Sequence, residues 1–572
     1  MQISKSGILI ASLFAIDLCL AADDVDAQLV IYPAKSIITM DPSQPRATAV
    51  AVADGRIVAV GDIDSMQAWT SSRPYTIDDR FSDKVLLPGL IDNHLHPFLA
   101  AIVLNTVWIT PQPWQLPGLD VPPVRTPDKY MARLQKALSE HEDPLAPFIT
   151  WGYHKLWHGT IHRADLDVLS VETPIIVWQR SFHEIVANTA ALRWLGFDIE
   201  NDEPPVDSDF ETGVFSERGI KAALAGLAPY IFEPERLAYG LERLREIAHR
   251  GGITTIGDMG IGGYLGLDRE LELLRGAFEN DATSFRLFLV SSPWGLPAGM
   301  DQKLIRDFAT RSTSRVRTGK HVKLLADGGF FAQNMRMNFP GYTDGHQGKW
   351  MMEPDELMSA ARSYWNDGYQ VHVHVNGDEG MDVTLNVLAT LLEEQPRPDH
   401  RFTLHHVGYA TTAQIKRAAR LGVAISAQPN YLWALADKYA EQGMGADRAA
   451  VMSRIGAMVR SGIPTSLHSD FTMAPAAPLA LASIAVNRIT AEGTLMAPEE
   501  RISVHKALRA ITIDAAFPLR MEDEIGSIVA GKRADFTVLD DDPFEVPPED
   551  LANINVWGTV FEGRVFPLTL QY

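Results

Sequence analysis

The strongest constraint on the fold is an alternation of short apolar runs with helix-like stretches through the middle of the chain. Eight runs read as buried strands: VLLPGLIDNHLH, GITTIGDMG, FRLFLVSS, VKLLADGG, YQVHVHVNGD, RFTLHHVG, GVAISAQPN and IPTSLHSD. Most are followed by a helical pattern such as MDVTLNVLATLLEE. Repeated strand–helix units build a parallel sheet, and eight of them predict a closed (β/α)₈ barrel of the α/β class, which we place at residues 87–523.

Two further β segments flank the predicted barrel. QLVIYPAKSIITMD and ATAVAVADGRIVAVGD near the start, and GSIVAGKRADFTVLDDDPF and NVWGTVFEGRVF near the end, show strand-like alternation. We therefore expect residues 22–86 and 524–572 to form a composite β-sandwich. The stretch from about residue 100 to 245 breaks the strand–helix rhythm and contains six of the twelve tryptophans, so it is predicted to be a large insertion after the first barrel strand.

The first 21 residues have the order of a secretory signal peptide. Lys5 precedes an apolar run from Gly7 to Leu20, and small residues follow up to a predicted cleavage after Ala21. This pattern predicts a periplasmic or secreted protein. Asp17 inside the run weakens the pattern, so an uncleaved anchor or a cytoplasmic protein is the alternative. No later segment reaches about 18 uninterrupted apolar residues, so no membrane association is expected after cleavage.

Charge and cysteine content exclude several classes of function. Lys and Arg number 51 against 72 Asp and Glu, and the resulting net charge of −21 repels phosphate backbones, so nucleic acid is not an expected partner. The single cysteine, Cys19, lies in the predicted signal peptide and excludes Cys-rich zinc sites. Any metal must bind His, Asp, Glu or a modified Lys. The expected partner is a small-molecule substrate, and a homodimer is left open.

Paired histidines stand near the predicted carboxyl ends of two strands, which is the end of a (β/α)₈ barrel where active sites lie. His94 and His96 are two residues apart in IDNHLH, so both side chains point to one face of the strand. His372 and His374 repeat this spacing in QVHVHVNGD. Such pairs allow two imidazoles to bind one cation from inside a barrel.

Three other strands add groups of the same kind. His405 and His406 end FTLHH as neighbours, so at most one is expected to point inward. Asp470 ends PTSLHSD, and Lys323 lies among apolar residues in HVKLLADGG. A lysine inside a barrel strand is costly unless it is paired or modified, and a carboxylated amine would form an anionic bridge between two cations. The whole set predicts a metal site.

These motifs together resemble the amidohydrolase superfamily, and most closely amidohydrolase family 3, which includes N-substituted formamide deformylase-like enzymes. LLPGLIDNHLHP, VKLLADGG, VHVHVNGDEG, FTLHHVG and LHSDF carry the resemblance, which covers nearly the whole mature chain. It implies a metal-dependent hydrolase that cleaves a C–N bond in an amide, formamide or cyclic amide. It also implies a set of metal ligands: His94, His96, Lys323, His374, His406 and Asp470.

The resemblance extends to roles and cofactors. Asp470 would also move protons during catalysis. Two Zn²⁺ ions are expected, with Mn²⁺ or Fe²⁺ as alternatives, and Lys323 would carry an N6-carboxyl group. A mononuclear enzyme with an unmodified lysine is the competing interpretation. Substrate contacts are expected from four residues: His183, Glu217, His372 and His468.

Three departures from the family pattern leave the substrate open. The fifth strand reads HVNGD where HAIGD is common, the sixth reads HH where EH is common, and His468 stands where small residues are usual. The ligand positions are filled in each case, but the pocket is altered. A hydrolase or isomerase acting on another bond, and a non-catalytic barrel that binds a metal or ligand, remain alternatives.

Overall fold

The computed structural model of the protein describes residues 28–294, 296 and 300–568. The predicted signal peptide at residues 1–21 lies outside these ranges. Within them, no helix combines the length and the apolar character needed to cross a membrane.

Eight parallel strands form the wall of the barrel in their order along the chain. They are β1 Leu90–Leu95, β2 Ile253–Ile261, β3 Arg286–Ser291, β4 His321–Leu325, β5 Gln370–Val375, β6 Thr403–His406, β7 Ala424–Ala427 and β8 Thr465–Leu467. Hydrogen-bonded pairing runs without interruption from β1 to β8. The eight strands predicted from the sequence are confirmed.

The junction between β8 and β1 closes the barrel. The amide of Asn93 donates to the hydroxyl of Ser466 across it, at 2.8 Å. Just beyond β8, the backbone N–H of Asp470 donates to the carbonyl of His94, also over a short distance of 2.9 Å. The second bond brings two of the predicted metal ligands together through the backbone.

Burial on both faces explains the sequence pattern of these strands. Every residue of β1, β3 and β5 is buried. Apolar residues therefore occur on both faces of β3, and the polar residues of β1 and β5 are enclosed within the barrel. Gly257 on β2 permits a close approach to β1, because a Cβ there would overlap the carbonyl oxygen of Asn93. A larger residue would push apart the strand that carries His94.

Helices cover the outside of the barrel. They include Pro97–Val103, Pro234–Arg250, Leu267–Phe278, Asp301–Phe308, Pro354–Asn366, Asp378–Glu394, Thr412–Arg420, Asn430–Gln442, Ile455–Arg460, Pro478–Asn487 and Val504–Ala510. Several begin at a residue suited to that place. Thr411, for example, forms a capping box with Gln414 at the start of its helix.

The two ends of the chain build one eight-stranded sheet beside the barrel. Its strands are Leu29–Ile38, Arg46–Ala53, Arg56–Gly61, Tyr75–Ile77, Val85–Pro88, Phe536–Leu539, Val556–Phe561 and Arg564–Pro567. Val85–Pro88 pairs antiparallel with Phe536–Leu539 and so joins the two halves. The predicted composite β domain is confirmed. Arg286 of β3 contacts Asp535 and Glu562 and fixes this domain to the barrel.

The insertion between β1 and β2 contains a sheet of its own. Its six strands are Val107–Trp108, Phe148–Tyr153, Ile175–Gln179, Glu184–Ala187, Ser208–Asp209 and Val214–Ser216. Trp108 and Trp151 pack together in its interior with ring centroids 4.3 Å apart. The buried Arg180 donates to the carbonyl of Met473 at 3.1 Å, which ties the insertion to the loop after β8.

Candidate metal centre

The predicted ligands meet at the carboxyl end of the barrel. They come from five barrel strands or from the residues just after them. His96 follows β1 and precedes the helix Pro97–Val103, so the chain turns immediately after it. Asp470 follows β8 in a left-handed backbone conformation, with φ of 53°. The local backbone geometry thus brings the side chains of His96 and Asp470 within 3.5 Å of each other.

The first group of ligands is His94, His96 and Asp470. Each offers one atom that lies within 4.8 Å of the others. Oδ1 of Asp470 is 3.7 Å from Nε2 of His94 and 3.5 Å from Nε2 of His96. Asp258 of β2 stands behind His96, with its Oδ1 3.8 Å from Nδ1. Two imidazole nitrogens and a carboxylate oxygen form a donor set that suits Zn²⁺.

The second group shares His94 with the first. His94, His406 and His468 each offer a nitrogen within 4.8 Å of the others, and all three side chains are buried. Nδ1 of His406 is 3.7 Å from Oδ2 of Asp470 and 3.1 Å from Nε2 of His468. His374 packs against His406, with ring centroids 4.5 Å apart. Asp470 therefore lies between the two groups, with one carboxylate oxygen toward each.

His405 and His406 both point into the barrel. Nδ1 of His405 lies 2.8 Å from Nδ1 of His94, while His406 contacts Asp470. The expectation that at most one of the pair faces inward is therefore wrong. The reason is a backbone φ of 78° at His406, followed by 48° at Val407, which ends the regular alternation of the strand.

Lys323 of β4 is the buried amine that the sequence predicts. Its side chain is 2% exposed, and Nζ has no hydrogen-bond partner among the residues that the structure describes. Burial lowers the pKa of this amine to about 7, although the nearby Asp470 opposes the shift. An orphaned amine beside imidazoles and a carboxylate fits the expected cation site, because carboxylation would convert it into an anionic ligand.

The electrostatics keep the imidazoles in the form that binds metal. Burial lowers the pKa of His94, His374 and His406 well below its ordinary value, so these rings are neutral at pH 7. Burial raises the pKa of Asp470, and His96 and Lys323 reduce that increase. A cation would favour the ionised carboxylate.

A largely apolar cavity opens beside this centre. It contains about 870 Å³ that protein atoms do not fill, part of it open to solvent. His96, Lys323 and His374 form its polar floor. The walls come mainly from the insertion and from the loops after β2 and β3, and their large side chains are Leu99, Trp178, Phe182, Ile220, Leu224, Met259, Tyr264, Trp294, Leu325 and Met351.

The insertion adds a polar pair to the cavity. Nδ1 of His183 lies 2.6 Å from Oε2 of Glu217, and Asn334 donates to the other carboxylate oxygen at 2.5 Å. Burial alone would lower the pKa of His183, but the charge and the hydrogen bond of Glu217 raise it. The structure thus places both residues at the cavity, where they were predicted to contact substrate. That role itself remains a prediction.

His372 and His468, for which substrate contact was also predicted, do not line the cavity. His372 lies deeper in the barrel between His321 and His405. His468 lies beneath His406 and stacks on His94 with ring centroids 4.5 Å apart. Both therefore require another role. His321 and Asp258 were not predicted from the sequence. The only feature that could have indicated Asp258 is an acidic residue within the predicted strand GITTIGDMG.

Comparisons with known proteins agree with this geometry. The chain matches a family model described as an amidohydrolase family over residues 82–567. An N-substituted formamide deformylase from Arthrobacter pascens is 25% identical over 551 residues, covering 92% of this chain and 96% of that protein. The protein LONG AFTER FAR-RED 3 from Arabidopsis thaliana is 25% identical over 539 residues, covering 90% of this chain and 88% of that protein.

A solved structure shares the fold. An uncharacterized metal-dependent hydrolase from Pyrococcus horikoshii OT3 superimposes with a TM-score of 0.69 at 21% identity, covering 91% of this chain and 99% of that one. At this level of identity the likeness concerns the architecture of barrel and β domain.

The buried amine leads to a prediction about stability in the metal-free protein. Replacing Lys323 by Met removes a desolvated charge, so the variant should be more stable than the wild type at pH 7, by about 1–4 kcal/mol. The pKa of Lys323 is about 7 in the folded protein and 10.5 ordinarily. Between these values the unfolded chain binds the proton and the folded chain does not. Wild-type stability therefore rises with pH in this window, and the advantage of the variant shrinks.

Denaturant unfolding of both proteins at pH 7 and pH 9.5 measures this difference. Lys136→Met, at an exposed helical lysine, is the control. Its difference in stability from the wild type should not depend on pH in this range. Equal free energies of unfolding of Lys323→Met and wild type at pH 7 would contradict the assignment of a buried, unpaired amine. A difference that grows as pH rises would also contradict it.

Proposed function

We propose that the protein is a metal-dependent hydrolase that cleaves the C–N bond of an amide, formamide or cyclic amide. The chain belongs to the amidohydrolase family, and the proposal starts from that membership. The observation that carries the proposal is the convergence of buried imidazoles, Asp470 and Lys323 at the floor of an apolar cavity. The similarity to a formamide deformylase supports the choice of a C–N bond. A non-catalytic barrel is disfavoured because every expected ligand position is filled.

The residues of the centre would have two tasks, metal binding and proton transfer. His94, His96, His374 and His406, with Lys323 and Asp470, would hold two divalent cations. Bound cations of this kind lower the pKa of a coordinated water and polarise a carbonyl group. Asp470 would accept the proton of the attacking water at its carboxylate and return it to the departing nitrogen. Its position between the two ligand groups places this carboxylate beside both.

The cavity favours an uncharged substrate with an aromatic or bulky apolar group. Trp178, Phe182, Tyr264 and Trp294 provide large apolar surfaces, and the lining residues that the structure describes include no arginine. A substrate carboxylate would be buried there without a guanidinium partner, which is costly. Glu217 holds Nδ1 of His183, so Nε2 is the ring nitrogen left to contact a substrate carbonyl.

A substrate panel with defined metal content tests the proposal. Protein stripped with dipicolinate should be inactive on N-formyl, N-acyl and lactam compounds, and Zn²⁺ or Mn²⁺ should restore hydrolysis. Neutral aromatic members should exceed their carboxylated counterparts by at least about tenfold in kcat/KM, since burial of an unpaired charge costs more than the 1.4 kcal/mol that this ratio represents. Full activity of a demonstrably metal-free preparation would overturn the mechanism, and a preference for carboxylated substrates would overturn the substrate class.

Asp470→Asn should separate chemistry from binding. Asparagine is nearly isosteric and can still present an oxygen to a metal, but it cannot accept a proton at neutral pH. We expect kcat to fall by about 10²–10⁴-fold or more, with a much smaller change in KM. Metal analysis should show that the ions are retained, and Asp128→Asn, at an exposed carboxylate, serves as the control. If the Asp470→Asn variant kept more than about a tenth of wild-type kcat with full metal content, Asp470 would not be the proton carrier.

A further inference from the structure

A row of four buried histidines crosses the barrel interior beneath the metal centre. Nδ1 of His94 lies 2.8 Å from Nδ1 of His405, and Nε2 of His405 lies 3.0 Å from Nδ1 of His372. Nε2 of His372 in turn lies 2.9 Å from Nδ1 of His321. All three distances are those of hydrogen bonds. The row therefore connects a predicted metal ligand with the first residue of β4.

The row can carry its protons in only two arrangements. Each contact needs one N–H donor and one lone-pair acceptor, and a neutral imidazole supplies one of each. The N–H groups must then all point along the row in the same direction, either away from the metal centre or toward it.

Metal binding selects one of these arrangements. Nε2 of His94 faces Asp470 and is the nitrogen directed at the first ligand group. If Nε2 binds a cation, the proton of His94 must reside on Nδ1 and be donated to His405. The same orientation then follows at His372 and His321. The row thus accommodates the metal-binding tautomer of His94 with a partner at each of its three contacts.

A separate chain of hydrogen bonds holds His406. Asn93 donates to the carbonyl of Ala515 at 3.3 Å, which orients its amide, and its Oδ1 accepts from the hydroxyl of Ser426 at 2.8 Å. The serine oxygen can then only accept from Nδ1–H of His468, also at 2.8 Å. The lone pair of His468 is therefore on Nε2, 3.1 Å from Nδ1 of His406.

We propose that His405 and His468 are positioning residues of the metal centre. His405 accepts the Nδ1 proton of His94 and leaves Nε2, which faces Asp470, for a cation. His468 accepts the Nδ1 proton of His406, so that cation binding by His406 is assigned to Nε2 although Nδ1 is the nitrogen 3.7 Å from Asp470. The proposal rests on the metal centre of the proposed function but not on its substrate. It assigns to the partner histidines the part that a carboxylate or a carbonyl commonly plays behind a metal-bound imidazole. Because these partners are neutral, they orient the ligands without adding negative charge.

One competing arrangement uses the same atoms. His468 could itself be a ligand, since one of its ring nitrogens lies within 4.8 Å of a nitrogen of His94 and a nitrogen of His406. The two arrangements differ in what replaces His468. A positioning residue needs only a hydrogen-bond acceptor, whereas a ligand contributes directly to the absorption spectrum and the number of bound ions.

Four variants distinguish these arrangements. His405→Leu and His468→Leu remove the acceptors. His405→Asn and His468→Gln retain an amide oxygen near the place of Nδ1 and of Nε2, respectively. His158→Leu is the matched control, because His158 is buried in the insertion and bonded to the carbonyl of Val124, away from the centre.

Metal binding is measured without substrate, by competition for Co²⁺ and Zn²⁺ and by the visible absorption of the Co²⁺ protein. We expect both leucine variants to bind metal about 10–100-fold more weakly with unchanged stoichiometry. The amide variants should recover to within about threefold of wild type, because the acceptor is restored. His158→Leu should alter stability alone. Failure of the proposed C–N hydrolysis would leave these binding results intact.

Two results would overturn the proposal. Wild-type affinity and spectrum in His405→Leu or His468→Leu would show that the partner histidine does not position its ligand. Loss of a bound ion in His468→Leu, with a changed Co²⁺ spectrum that His468→Gln does not restore, would identify His468 as a ligand.

Discussion

The interior of this barrel depends on satisfying polar groups that water cannot reach. Seven histidines on or directly after barrel strands are buried: His94, His321, His372, His374, His405, His406 and His468. Each ring nitrogen needs a donor, an acceptor or a cation, because an unsatisfied buried polar group costs about 1–3 kcal/mol. The imidazoles meet this requirement largely by bonding to one another. The amine of Lys323 has no hydrogen-bond partner within the described part of the chain, and in the proposed centre its carboxylation would provide one.

This requirement links the fold to the proposed chemistry. Parallel strands bring side chains from distant parts of the sequence to one end of the barrel, and the bond from Asp470 to the His94 carbonyl closes the ring at the site itself. The insertion supplies the apolar walls and the His183–Glu217 pair. In the proposed function, metal binding and substrate selection are therefore assigned to different parts of the molecule, and a change in the insertion could alter the substrate without altering the metal centre.

Much of this arrangement could be predicted from the sequence. The eight strands were recognisable because short segments rich in apolar residues alternate with helical patterns, and the i, i+2 spacing placed His94 with His96 on one face. The β halves at both ends were visible as alternating strands. The insertion was recognised only as a break in the pattern, because its short strands pair in a mixed order that local periodicity does not encode.

The parts that could not be predicted depend on backbone geometry and long-range contacts. The inward turn of both His405 and His406 follows from a positive φ that no residue type in FTLHH indicates. Asp258 escaped notice because β2 continues for three residues beyond it, so it does not mark a strand end. The histidine row joins four strands through rings far apart in sequence. The register of β4, β5 and β6 brings three of these rings together, and His94 of β1 contacts them across the barrel.

The central claim is that this cluster of buried imidazoles and Asp470 is a centre for divalent cations. Anomalous X-ray diffraction from crystals of the zinc-loaded protein, recorded on both sides of the zinc absorption edge, tests it most directly. We expect zinc peaks bonded to His94, His96 and Asp470 and to His374 and His406, with density for a carboxyl group on Nζ of Lys323. Zinc bound only at surface residues, with no peak among these side chains at saturating metal, would contradict it.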